Sequence, residues 1–177
     1  MAERPAAIFP LQVTQLWAYG DVLESQDDLD SLQVVLAVDL PVDDFAWFCP
    51  PAGAEHWSHA TRLSKNPIAA MWRSTRAPLW NHHIRRPLKI WDASDGIATP
   101  ALSALRDGTA ESLRLPDPTQ DEMRSRLEAE LAVSHRALVS AIDAYEQRRF
   151  GQGKIGPVAD ILWRVSQGYL DTLGATH

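Results

Sequence analysis

Apolar residues follow two different rhythms along this chain. In the first half they fall in short runs broken by Pro, Gly and Asp; in the second they recur every three or four positions. Short runs rich in β-branched and aromatic residues read as strands, and the wider spacing reads as one face of a helix. Val13 to Tyr19 is strand-like and stops at Gly20-Asp21, where Gly accepts backbone angles that other residues avoid. After an acidic loop from Glu24 to Asp30 comes the clearest strand, Leu32 to Leu40. Leu32, Val34, Leu36 and Val38 lie on one face, and Val35 and Ala37 on the other are apolar too. A strand apolar on both faces belongs in a sheet covered on both sides. Ile68 to Ser74, Leu79 to Ile84 and Pro87 to Trp91 are further strand candidates, and Ser94-Asp95-Gly96 is a turn. Asp43-Asp44 are placed to cap a short helix through Phe48, Pro50-Pro51 break it, and Gly53 to Leu63 reads as helical.

From residue 98 onwards the pattern is helical. Thr99 and Pro100 read as N-cap and first helical residue of a short helix that Asp107-Gly108 ends. A long helix opens with a capping box, Thr119 and Glu122, after Pro116 and Pro118. Met123, Leu127, Leu131, Leu138, Ile142 and Tyr145 form its apolar stripe, with Arg148 and Arg149 in the last turn before Gly151. A final helix runs from Pro157 to Leu173-Gly174, with Val158, Ile161, Leu162, Val165, Tyr169 and Leu173 on its apolar face. Two adjacent stripes of this kind must pack on each other, on the sheet or on a partner. The fold class expected is α/β (α+β): a small mixed sheet within residues 12–92, then amphipathic helices within 98–174, in one domain.

Composition narrows the function. Apolar residues make up 45% of the 177, enough for a sizeable core, and no apolar run is long enough to span a membrane. The single cysteine, Cys49, excludes a disulfide framework and a cysteine-based zinc site. The start of the chain lacks the apolar core of a signal peptide, so the expected location is cytoplasmic. A net charge of -6 repels duplex nucleic acid, since phosphate binding needs clustered cations. Seven Trp are a heavy load, read first as core and second as the lining of a groove.

The acidic loop is the first candidate for chemistry. Asp28 and Asp30 are two apart in extended chain, which puts both carboxylates on one side. Hard oxygen ligands at that spacing suit Mg²⁺, with Asp39 or Asp92, each near a strand end, as third carboxylate. The same residues serve equally well in a solvated hairpin loop. A strand, Gly20-Asp21, an acidic loop with Asp28-x-Asp30 and a buried strand resemble the opening of the nucleotidyltransferase fold. That resemblance, which covers Val13 to Asp39 only, implies a phosphate contact at Gly20 and Mg²⁺ at Asp28 and Asp30; in an active protein Arg85 and Arg86 would hold the triphosphate. Asp21 stands where that family has Ser, the loop is short and no second Gly lies in it, which implies a degenerate, non-catalytic member. Over its whole length the chain also resembles an uncharacterised family of small proteins from GC-rich bacteria, through AYGDVLESQDDLD, WNHHIRRPLKIW and LWRVSQGYLDTL. That resemblance implies a shared fold and no activity.

Three other motifs have chemistry to offer. Trp80 to Trp91 holds Asn81, His82, His83, Arg85, Arg86 and Lys89 between tryptophans. Arg supplies a fork for phosphate or carboxylate, and His carries a proton near neutral pH, so the run reads as an anion- or nucleotide-binding patch or as a polar sheet edge. His56 and His59 lie three apart on a predicted helix near Cys49, but nothing fixes a third ligand. Gly151 to Gly156 satisfies Gly-x-Gly-x-x-Gly, yet a helix precedes it where the dinucleotide fingerprint needs a strand, so it reads as an inter-helix loop. The sequence leads to two expectations: a non-catalytic nucleotidyltransferase-like protein that binds a nucleotide or a protein, or an interaction module or homodimer built on the C-terminal helices, such as one half of a toxin–antitoxin pair.

Overall fold

The computed structural model describes residues 11–24 and 29–177. A five-stranded mixed sheet carries the first half and a helical hairpin ends the chain. The strands are β1 (Val13–Ala18), β2 (Leu32–Val38), β3 (Ile68–Ser74), β4 (Leu88–Asp92) and β5 (Gly96–Ile97), in the order β3-β2-β1-β4-β5. β1 runs antiparallel to both β2 and β4, β4 antiparallel to β5, and β2 parallel to β3. Parallel strands need a crossover. Here it contains α1 (Ala54–Ala60), followed in the chain by β3. α2 (Thr99–Arg106), α3 (Gln120–Arg149) and α4 (Gly156–Ala175) complete the fold.

Val34 to Val38 are all buried, as an apolar run on both faces of an inner strand requires. Val35 and Ala37 pack with Tyr19, Trp47, Leu79 and Ile84; Val38 packs with Leu11, Phe45 and Ala54; Leu88 of β4 packs with Ala101 of α2. Gly20, at φ +70, turns the chain out of β1, and a Cβ there would lie 1.6 Å from Gln33 Oε1. The long helix opens on the predicted capping box: Glu122 N–H donates to Thr119 Oγ1 over 3.2 Å, and Thr119 N–H to Glu122 Oε2 over 2.7 Å.

Two expected elements take another form. Leu79 to Ile84 is not a strand. Asn81 Oδ1 accepts from the N–H groups of His83 and Ile84, at 3.0 and 2.9 Å, and Arg73 Nε donates to Leu79 O at 3.1 Å. Side chains thus satisfy backbone groups that a ladder would otherwise pair. The helix expected from Asp43 to Phe48 shrinks to one 3₁₀ turn, Val42–Asp44, and Phe48 lies at φ +62, outside any right-handed helix.

α3 and α4 pack on each other as an antiparallel pair, joined by the glycine-rich residues 150–155. The stripe from Met123 to Tyr145 therefore points into the molecule, with Ile142 its one exposed member. What ties the hairpin to the sheet is a buried ionic knot. Glu130 of α3 pairs with Arg73 of β3, accepts from Arg126 Nη2 at 2.9 Å and takes an N–H of Asn81 at 3.0 Å. Burial raises the Glu130 pKa, but the two guanidinium charges and these hydrogen bonds outweigh it and hold the carboxyl below the usual range. Burial and the charge of Arg73 push Arg126 down to about 10.

Removing one member of a buried ion pair strands the other without solvent. Glu130→Ala is expected to cost about 3–5 kcal/mol in urea unfolding. A depressed carboxyl pKa adds stability above its unfolded value and loses it as pH falls through the folded one. Below about pH 4.3, wild-type stability should therefore fall more steeply with acid than that of Glu130→Gln; equal slopes would show that Glu130 is not ionised in its buried place.

Candidate functional site

The segment between β3 and β4 carries the polar run singled out in the sequence, and its turn brings two histidines to one point. Asn81, fully buried, holds the turn, so His82 and His83 leave it side by side with ring centroids 4.6 Å apart. Asp171, near the end of α4, meets them. His82 Nε2 lies 2.8 Å from Asp171 Oδ2, and His83 Nε2 lies 3.1 and 3.2 Å from the two carboxylate oxygens. Trp47 Nε1 donates to the same Oδ2 at 2.7 Å. The indole stacks on Phe48 and on His83, and Arg73 lies over it at 5.5 Å, linking this cluster to the Glu130 knot.

Trp47 is placed by close backbone contact. Its N–H donates to Ser134 Oγ of α3 at 3.4 Å, and a Cβ on Gly168 of α4 would stand 2.0 Å from its carbonyl oxygen. Only Gly lets α4 approach that near. Burial pushes the Asp171 carboxyl up, but hydrogen bonds from His82, His83 and Trp47 outweigh it and keep it below the usual aspartate range. His83 is half exposed, whereas His82 is largely buried and its Nδ1 has no partner among the described residues. The two imidazole nitrogens and the carboxylate lie within 4.8 Å of one another, the one such group of His, Cys, Asp and Glu among the described residues.

The carboxylates expected to share Mg²⁺ are not brought together. Asp28 lies outside the described residues. Asp30 is exposed just before β2, and Asp39 is exposed just after it, paired with Arg76 at 2.7 Å. The seven residues of β2 hold them about 20 Å apart or more. Asp92 pairs across β1 at Gln15, level with Ala37, so it too is at the Asp39 end. Hydrogen bonds from Ser94, and from Lys89 and Gln15, lower its pKa to about 2. Gly20 is at the Asp30 end, but the Gln33 side chain fills the space against it.

Arg85 and Arg86 precede β4, whose first residue pairs with Ala18, so they share the Gly20 end of the sheet. Arg86 is committed: it pairs with Glu111, lies 3.7 Å from Asp117 and donates to Leu115 O. Arg85 is exposed and borders a cavity of about 610 Å³ with Arg124, Thr119, Asp117 and Glu128. His56 and His59 are exposed on α1 and are not members of the histidine cluster. The cluster's two unexpected members, Asp171 and Trp47, have weak signals: one of two carboxylates in the apolar final helix, and one of seven tryptophans.

A second feature lies on the outer side of the hairpin. The rings of His135 and Tyr169 are 6.0 Å apart, which fixes the register of α3 against α4. From that contact, helical spacing puts Val139 and Ile142 on the same side of α3, and Leu170 and Trp163, seven apart, on the neighbouring side of α4. Trp163 is 66% exposed, Leu170 57%, Val139 46% and Ile142 40%.

Fold and site together define an α/β protein whose C-terminal helical hairpin is docked on a mixed sheet through a His–His–carboxylate cluster. The chain belongs to the family described as Domain of unknown function (DUF7711), whose profile matches residues 1–177. No curated protein and no solved structure matches the chain. Among the described residues no helix is long and apolar enough to cross a membrane.

Asp171→Ala would leave the Trp47 indole and both imidazoles without their acceptor. The expected cost is about 1–3 kcal/mol in urea unfolding. A loss within error would show that the cluster does not hold α4 in place.

Proposed function

We propose that this protein is a non-catalytic interaction module that pairs with a second copy of itself through the outer face of the α3–α4 hairpin. The observation that carries the reading is Trp163, a large indole 66% exposed on a regular helix, with Leu170 on the same face. Contiguous exposed apolar residues mark contact sites, and Trp is the residue type most often at the energetic centre of an interface. A helical hairpin with an apolar outer side buries it most simply against an identical hairpin, giving four packed helices about a two-fold axis.

The nucleotide-binding reading has less support. Of its residues, Arg85 borders a large cavity, but Arg86 is neutralised by Glu111 and Asp117, and Asp117 and Glu128 add negative charge to the wall. Phosphate is poorly served there.

Light scattering on the full chain over a wide concentration range tests the pairing. A dimer is expected for the wild type, with dissociation to monomer in Trp163→Ser/Leu170→Ser and an unchanged far-ultraviolet circular dichroism spectrum, since both side chains are exposed. A monomer at every concentration overturns the reading. So does a dimer that the double substitution leaves intact.

A further inference from the structure

The histidine cluster does more than pin a helix. We infer that His82, His83 and Asp171 form a mononuclear site for a first-row transition-metal dication of the zinc class. Both Nε2 atoms and the carboxylate of Asp171 converge within 4.8 Å. Ligands around a tetrahedral zinc, with bonds of about 2.0–2.2 Å, stand roughly 3.3 Å from one another. The His–Asp separations of 2.8 to 3.2 Å lie within a few tenths of an ångström of that spacing, and the two imidazole nitrogens lie within 4.8 Å of each other.

The ligand chemistry selects the metal. Two imidazoles and one carboxylate suit zinc, cobalt, nickel, copper or iron, whereas Mg²⁺ and Ca²⁺ prefer a shell of oxygens. Three protein ligands leave a position open, and that position faces water: the His83 side chain is 48% exposed and that of Asp171 31%. The ligands are also well anchored. Asn81 fixes the turn that bears both histidines, and the Trp47 indole fixes the carboxylate at 2.7 Å. A hydrogen bond of this kind orients a metal ligand and tunes its basicity.

One contact is missing. A histidine that binds metal through Nε2 carries its proton on Nδ1 and ordinarily passes it to an acceptor. His82 Nδ1 is buried with none among the described residues. Affinity is therefore expected to be about 10- to 100-fold below that of a fully supported site. The ion would join residue 83 to residue 171, clamping the base of the hairpin to the sheet. Asp171 and Leu170 are consecutive and so stand about 100° apart around α4, which points the site to a different side of the helix from the proposed pairing surface.

The test uses full-length, tag-free protein stripped with EDTA and titrated with Co²⁺, whose visible absorption reports a low-coordinate nitrogen and oxygen shell. The expected result is one ion per chain, displacement of the cobalt spectrum by Zn²⁺ but not by Mg²⁺, and a melting temperature raised by Zn²⁺. His83→Ala removes a half-exposed ligand and should weaken binding at least about tenfold while keeping the wild-type circular dichroism spectrum. Asp171→Asn should do the same while retaining an acceptor for Trp47. Absence of a cobalt spectrum overturns the inference. So does binding that both variants leave unchanged, which would assign the ion to another part of the chain.

Discussion

Glu130 is the point at which three separate stretches of chain are tied together. It is buried on α3, and its partners are Arg73 from the sheet, Arg126 from its own helix and Asn81 from the turn between β3 and β4. An unpaired carboxylate or guanidinium in that position would be costly. The three stretches are therefore coupled through this one carboxylate. Arg73 extends the knot by donating to Leu79 O and lying over Trp47, so the turn and the indole are positioned by the same guanidinium. The histidine cluster is built outward from there, since Asn81 holds the turn and Trp47 holds Asp171.

This arrangement gives the hairpin two different sides. Its inner side sets ion pairs, a close glycine contact and a carboxylate shared by two imidazoles and an indole among buried apolar residues such as Leu127, Val133 and Val165. Its outer side is apolar and exposed, with Trp163 and Leu170 on α4 and Val139 and Ile142 on α3. α3 is 30 residues long, about 45 Å, and its first half is held by Arg73 and Asn81 through Glu130. A metal at the base would stiffen the anchorage without touching the outer face.

The parts of this fold legible in the sequence are those set by near neighbours. The capping box at Thr119, the Gly20 turn and the doubly apolar β2 each rest on residues a few positions apart, and each formed where the pattern placed it. Leu79 to Ile84 misled because its composition resembles a strand while its hydrogen bonds go to Asn81 and Arg73. The spacing of Asp28, Asp30 and Asp39 pointed to a shared ion, but the strand between Asp30 and Asp39 holds those two at opposite ends. The run from Trp80 to Trp91 divides in the fold: its histidines meet Asp171, while Arg86 is taken up by Glu111 and Asp117.

By itself the sequence determined the order and type of the main elements, the burial of β2, the limits of the long helix and the class of side chains from which a site could be made. These follow from local periodicity, capping and turn chemistry, which act over a turn of helix or a pair of strand residues. Tertiary structure alone decided which charges found partners. His83 and Asp171 are 88 positions apart, Trp47 and Asp171 are 124 apart, and Arg73 and Glu130 are 57 apart. Nothing in the spacing of such residues encodes their meeting, because it depends on where a whole helix docks against a sheet, and that docking is chosen by the summed burial and pairing of all the side chains between them.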